Sequence, residues 1–125
     1  MSKFVKVRTE LRDLEMIKRA LDDLGLPYTT GSDYRHGWSG STHTADLVVT
    51  AGTFRGFAFR RNADGIYDIL GDSMGLAAQK QTLQQLNQRY AYHKVVHEVD
   101  RAGFSLVEEK TDRDQTIRLV VRRWS

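Results

Sequence analysis

The segment Asn62-Ala63-Asp64-Gly65 constrains the fold more than any other part of this chain. It separates two strand-like runs, residues 54–62 and 66–70, and Gly65 supplies the left-handed conformation that such a hairpin loop needs. Strands joined by so short a turn pair antiparallel. Asp112-Arg113-Asp114-Gln115 plays the same part between residues 104–110 and 116–124, and Gly52-Thr53 between residues 46–51 and the run at 54–62. The core of the fold is therefore an antiparallel sheet.

Two helices interrupt the strands. Residues 4–11 alternate, with Val5, Val7 and Leu11 on one side and Lys6 and Arg8 on the other, as a half-buried strand does. Asp13 then caps a first helix in which Leu14, Ile17, Ala20, Leu21 and Leu24 recur at helical spacing, and Gly25 stops it. A short extended piece follows at residues 26–30. Residues 31–43 form the one clear loop, rich in glycine and serine and holding Tyr34, His36, Trp38 and His43. Asp72-Ser73-Met74-Gly75 breaks the strand pattern, with Asp72 or Ser73 as cap, and a second helix runs over residues 76–102 to Gly103. The expected fold is α+β: a mostly antiparallel sheet in the order strand, helix, strands, long helix, two strands, with both helices packed on one face.

With 125 residues the chain is expected to be a single domain spanning residues 1–125, large enough to bury about two-thirds of its unfolded surface without staples. The absence of cysteine excludes disulfides, thiolate metal sites and a cysteine nucleophile. No apolar run is long enough for a membrane span and no signal core opens the chain, so a cytoplasmic or plastid-stromal protein without membrane contact is expected. A formal net charge of +3 is mild. It suits an acidic partner and does not diagnose nucleic-acid binding. Arginines outnumber lysines 13 to 6, which favours planar, hydrogen-bonded contacts over simple solubility.

The second helix draws attention because Gln88-Arg89-Tyr90-Ala91-Tyr92-His93-Lys94 spreads polar aromatic, imidazole and cationic groups around it. At about 100° per residue, Leu83, Leu86, Tyr90, His93 and His97 share one side, while Tyr92, Val95, Val96 and Val99 lie roughly opposite. Tyr90 points inward on this geometry, and Tyr92 belongs to a second contact face. A kink, or burial on every side, also accounts for the pattern. His93 and His97 stand at a metal-chelating spacing, with His36 and His43 as further donors from the loop. Lys94 between them opposes a cation, so neither a metal nor any other cofactor is expected.

Arg60-Arg61 and Arg122-Arg123-Trp124 end two strands and place cations over both faces. If their strands are neighbours, Lys6, Arg8, Arg118 and Arg122 line a basic sheet face with Trp124 at its end, a platform for single-stranded nucleic acid. A merely solvated face, balanced by Glu10, Glu108 and Glu109, is the plainer reading. Catalysis has little support. Ser73 and the loop serines lack a nucleophile motif, and Asp64, Asp68 and Asp72 suit solvated turns better than an acid/base pair.

Phe59-Arg60-Arg61-Asn62 with Asp64-Gly65 and Tyr67, the segment from Gln88 to Lys94, and Ile117-Arg118-Leu119-Val120-Val121-Arg122-Arg123-Trp124 together carry a resemblance. With the opening strand, first helix and Ala45-Asp46-Leu47-Val48-Val49, the chain resembles, over almost its whole length, a domain-of-unknown-function family of cyanobacteria, some other bacteria and algal plastids. That family includes the hypothetical chloroplast reading frame thirty-five protein. The resemblance implies a soluble cytosolic or stromal protein and carries no activity with it. A site built on the aromatic pair that such proteins often have near Ser73-Met74 is not expected here.

The sequence thus favours a small non-enzymatic binding or accessory protein that holds a protein partner, an acidic one by charge. Its candidate binding residues are Arg60, Arg61, Arg89, Tyr90, Tyr92, His93, Lys94, Arg122 and Trp124. An RNA-binding module on the basic sheet face is the alternative. An enzyme using His93, Tyr90 or Tyr92 beside Arg60 or Arg89, in a pocket closed by the loop around Trp38, is the third reading.

Overall fold

The computed structural model describes residues 2–50, 56–114 and 116–123. Strand β1 (Phe4–Val7) leads into helix α1 (Leu14–Asp23), and β2 (Tyr28–Thr30) follows. A small hairpin, β3 (Tyr34–Arg35) and β4 (Thr42–His43), precedes the meander β5 (Leu47–Val49), β6 (Phe57–Arg61) and β7 (Tyr67–Asp72). Helices α2 (Ser73–Ala78) and α3 (Lys80–Arg101) and a final hairpin, β8 (Phe104–Thr111) and β9 (Ile117–Arg123), complete the chain.

The main sheet has the order β1-β7-β6-β5-β2, every pair antiparallel. β1 and β2 occupy opposite edges, so α1 carries the chain across the sheet between them. Asp13 starts that helix by accepting the Glu15 and Met16 N–H groups on Oδ1, and Gly25 ends it at φ 66°, a conformation that costs glycine nothing. Met16, Ile17, Ala20 and Leu21 bury one side of α1.

Alternation along β7 sorts the core into two faces. Tyr67 and Ile69 join Phe57, Phe59, Leu47 and Val49 beneath α1, Leu76 and the Leu86-Tyr90 side of α3. Leu70 joins Ala58 on the other face, where Tyr34 from the β3–β4 hairpin covers them together with Phe4, Ala45 and Val48. Both long helices lie on one face, as the sequence pattern requires. The segment read as an open loop instead contributes a hairpin that closes the second face.

The long helix is broken at Gln79 into α2 and α3. Asp72 caps α2 through Oδ2, which accepts the Met74 and Gly75 N–H groups at 3.0 and 2.9 Å. The alternating strand at residues 4–11 keeps its ladder only to Val7, and Val7 is 44% exposed where Val5 packs against the core. Asp68 and Asp72 are buried, not turn residues in solvent. Asp68 accepts from the Asn62 side chain at 3.3 Å.

The basic platform does not assemble. Among the described residues β9 pairs only with β8, in a sheet of its own, so Arg118 and Arg122 do not adjoin Lys6 on β1 or Arg8 just past its end. The face they were to share is the one that the β3–β4 hairpin covers. The turn at Gly52-Thr53 and the aromatic ring of Trp124 lie outside the described residues.

Gly71 faces the helices, and a Cβ placed there would meet Leu76 Cγ at 2.8 Å. Gly71→Ala is expected to lower stability by about 1–3 kcal/mol through overpacking, read as a fall in the urea midpoint with an unchanged slope. An unchanged midpoint would contradict this packing of α2 on β7.

Candidate functional site

Helix α3 lies between the main domain core and the last hairpin, which explains its lack of a single apolar stripe. Leu86 and Tyr90 are buried against the core. The Tyr90 hydroxyl accepts the backbone N–H groups of Arg12 and Asp13 at 3.0 and 3.1 Å. That contact satisfies donors at the entry to α1 and lets a phenol sit at the edge of the core.

The rest of the segment from Gln88 to Lys94 ties the neighbouring elements together. Asp23, at the end of α1, accepts from Arg89 Nε at 2.8 Å and bonds His93 Nε2 at 2.6 Å. Burial opposes charge on Asp23, but the bonds from Arg89 and His93 outweigh it and hold the carboxyl below its ordinary range. The Arg89 guanidinium also lies 4.2 Å from the Tyr92 ring centroid and 3.7 Å from Glu109 on β8. The Tyr92 hydroxyl donates to Glu109 at 3.3 Å. The opposite face of α3 is thus covered by the last hairpin, with Tyr92 and Val95 close to Ile117 and Leu119.

Lys94 makes only loose pairs, 3.9 Å to Asp13 and 4.0 Å to Glu98. Arg60 and Arg61 stand at the far end of β6, opposite Asp68 and Tyr67, and the Arg61 N–H donates to Asp46 Oδ2 at 2.7 Å. Arg122 is exposed on β9, opposite Ser105. The structure therefore gathers Arg89, Tyr92 and His93 into one network, leaves Lys94 and Tyr90 beside it, and keeps Arg122 apart on the last hairpin. Trp38 lies on the hairpin that covers the other face of the sheet, so it closes no pocket around His93.

A groove of about 840 Å³ runs between residues 7–12 and α3. Leu11, Ile69, Leu83, Tyr90 and Val95 give it an apolar floor, with Arg8, Arg12 and Lys94 as cations and Glu10 as the acid along its walls. The sequence gives no binding signal for Leu83 or Arg12; it puts Arg8 on the basic sheet face and Val95 on the second contact face of the helix, and the groove takes both from there.

The second assembly lies across the sheet. Asp72 Oδ1 bonds His36 Nε2 at 2.7 Å, His36 Nδ1 bonds Ser39 Oγ at 2.6 Å, and Ser39 Oγ meets Ser41 Oγ at 2.8 Å. Ser41 Oγ then reaches His43 Nε2 at 3.0 Å, and the His43 ring stacks on Phe4 at 3.7 Å. Burial opposes charge on Asp72, but hydrogen bonds from His36 and from the Gly75 N–H outweigh it, so its carboxyl also sits below the ordinary range. Nothing local in the sequence signals this assembly, since its two ends are 36 positions apart. Among the described residues no cluster of His, Asp and Glu has the makings of a metal site.

The chain matches the family model described as "Protein of unknown function (DUF1257)" over residues 20–120. It is 30% identical to the uncharacterised protein ycf35 of Pyropia yezoensis over 129 residues, covering 100% of this chain and 99% of that protein. It is 31% identical to the uncharacterised protein ycf35 of Cyanophora paradoxa over 128 residues, covering 99% and 98%. No solved structure matches.

Two predictions test this architecture. Tyr90→Phe leaves the Arg12 and Asp13 N–H groups without their acceptor and should cost about 1–3 kcal/mol. Tyr92→Phe removes one exposed bond and should cost less than about 1 kcal/mol; equal losses in denaturant melts would refute the assignment of inner and outer faces. The stability contributed by ionised Asp72 is fully present above the ordinary carboxylate range near pH 4 and drains away as the pH falls through the lower folded value. The gap between wild type and Asp72→Asn in urea midpoint should therefore narrow as the pH is lowered, and a constant gap would show that the charge contributes nothing.

With the model match spanning most of its length and full-length likeness to the algal proteins, the chain belongs to the DUF1257 family, which has no assigned function.

Proposed function

We propose that this is a small non-enzymatic binding or accessory protein that holds an acidic, amphipathic segment of a protein partner in the groove between residues 7–12 and α3. The carrying observation is the combination of an apolar floor with cationic walls at one place. Val7 and Val95 are each 44% exposed there, and Arg8, Arg12 and Lys94 outnumber Glu10. A volume of about 840 Å³ is within the range of sites that bury a ligand of several side chains.

The cations are available at little cost. Arg8 pairs with Asp64 at 3.5 Å with both side chains mostly exposed, and the pairs of Lys94 are longer still. Exposed pairs of this kind contribute under about 1 kcal/mol each, so an incoming carboxylate exchanges with them readily. Arg89, Tyr92 and His93 serve this reading from behind: they fix α3 against α1 and β8, and so set the width of the groove. The resemblance to algal proteins supports a cytoplasmic or stromal compartment, and among the described residues no helix is long and apolar enough to cross a membrane.

The test is an isotope-labelled titration with two synthetic peptides of the same apolar pattern, one acidic and one with its charges reversed. The acidic peptide should shift resonances of residues 7–12 and of Leu83 to Val95, and Arg8→Glu with Arg12→Glu should weaken it at least about 10-fold, since two charge contacts are reversed. Equal binding of both peptides, or shifts confined to other surfaces, would overturn the assignment. Binding of a short single-stranded oligoribonucleotide at low salt, with shifts on β9 instead, would favour the RNA alternative.

A further inference from the structure

Across the sheet from the groove, the turn of the β3–β4 hairpin presents a hydroxyl in an unusual electrostatic setting. We infer that Ser39 is an activated nucleophile that accepts an acyl group from an activated ester or thioester. The inference does not depend on the groove.

The geometry has three linked parts. Asp72 is buried and ionised, with Oδ1 2.7 Å from His36 Nε2. His36 is 1% exposed. The Ser39 N–H donates to His36 Nδ1 at 3.3 Å, so Nδ1 is the unprotonated nitrogen and Nε2–H faces the carboxylate. The Ser39 hydroxyl, 2.6 Å from Nδ1, is then its own proton donor to a basic nitrogen. This is the nucleophile, base and orienting acid arrangement that activates serine on unrelated folds, with the two ring nitrogens exchanged.

The surroundings support attack from solvent. Ser39 is exposed although its base is not. The Ser41 N–H donates to Ser39 Oγ at 3.2 Å, which favours the developing negative charge. The N–H groups of Gly37 and Trp38 have no acceptor among the described residues, and Arg35 reaches over the turn to 3.9 Å from where a Cβ on Gly40 would stand. Both N–H groups lie in the same turn as Ser39. Trp38, 64% exposed next to the nucleophile, offers an apolar surface for the acyl chain.

In the reaction, Ser39 Oγ forms a bond to the carbonyl carbon while its proton passes to His36 Nδ1. Asp72 balances the imidazolium. The tetrahedral intermediate collapses by breaking the bond from carbon to the leaving oxygen or sulfur, and His36 returns the proton to that atom. The products are O-acyl-Ser39 and a free alcohol or thiol. The acyl group is carried as an ester of Ser39, one per chain.

The experiment treats the full chain with p-nitrophenyl acetate and, separately, with an alkyl fluorophosphonate, and maps the adduct by mass spectrometry. One adduct per chain on the peptide containing Ser39 is expected, with a matching single burst of p-nitrophenolate. Ser39→Ala should abolish it, and His36→Gln should slow it by at least about 100-fold. Wild type unfolded in urea gives the same comparison without a substitution, should His36→Gln fail to fold, and should lose the labelling. Absence of an adduct at Ser39, or labelling of Ser39 at the same rate after unfolding or in folded His36→Gln, would overturn the inference and leave the assembly as a structural pin.

Discussion

The Asp72 carboxylate is the interaction on which the rest of the structure depends. It sits at the end of β7, where its backbone pairs with Phe4 on the edge strand. One oxygen caps α2 and the other holds His36. A single buried charge thus fastens α2 to one face and the small hairpin to the other. Burying a carboxylate without partners costs several kcal/mol. Here the bonds it accepts from α2 and from the small hairpin require both to be in place, so the cost becomes a condition on correct assembly. Removing the carboxylate would loosen both faces at once.

Helix α3 follows a similar logic on a larger scale. A helix covered on two sides has no use for one apolar stripe, and each of its faces is written for a different neighbour. Tyr90 addresses the entry to α1, Arg89 and His93 address its exit at Asp23, and Tyr92 addresses β8. The residues that look most like a binding site in the sequence are mostly consumed inside the molecule. That moves the exposed, unspent surface to Val95, Lys94 and the strand end at Val7 and Arg8.

The parts of the fold legible in the sequence are those set by local chemistry. Asp13 and Asp72 as caps, Gly25 and Gly65 as left-handed turns, and the inward side of α1 all follow from neighbours within a few positions. The parts that were not legible depend on distant partners. The β3–β4 hairpin has only two residues per strand and hides among turn residues. Asp72 looks solvated until His36, 36 positions away, is brought to it. The separation of β9 from β1 could not be read at all, because alternation tells which residues share a face and not which strands share an edge.

The two faces also differ in what they leave unfinished. On the helix face the unspent groups are apolar side chains beside weakly paired cations, which is the chemistry of reversible contact. On the hairpin face the polar network is complete: no buried side-chain polar atom among the described residues lacks a partner, and the chain of bonds from Asp72 and His36 passes through the exposed Ser39 hydroxyl to Ser41 and His43. A network serving only to pin the hairpin has no need to pass through an exposed hydroxyl, since His36 could be satisfied by a backbone carbonyl, as buried imidazoles often are. Routing it through a serine at the tip of a turn, beside an exposed tryptophan, sets buried charge behind a group that faces solvent. That placement, and not the strength of any one bond, separates a reactive site from a structural one.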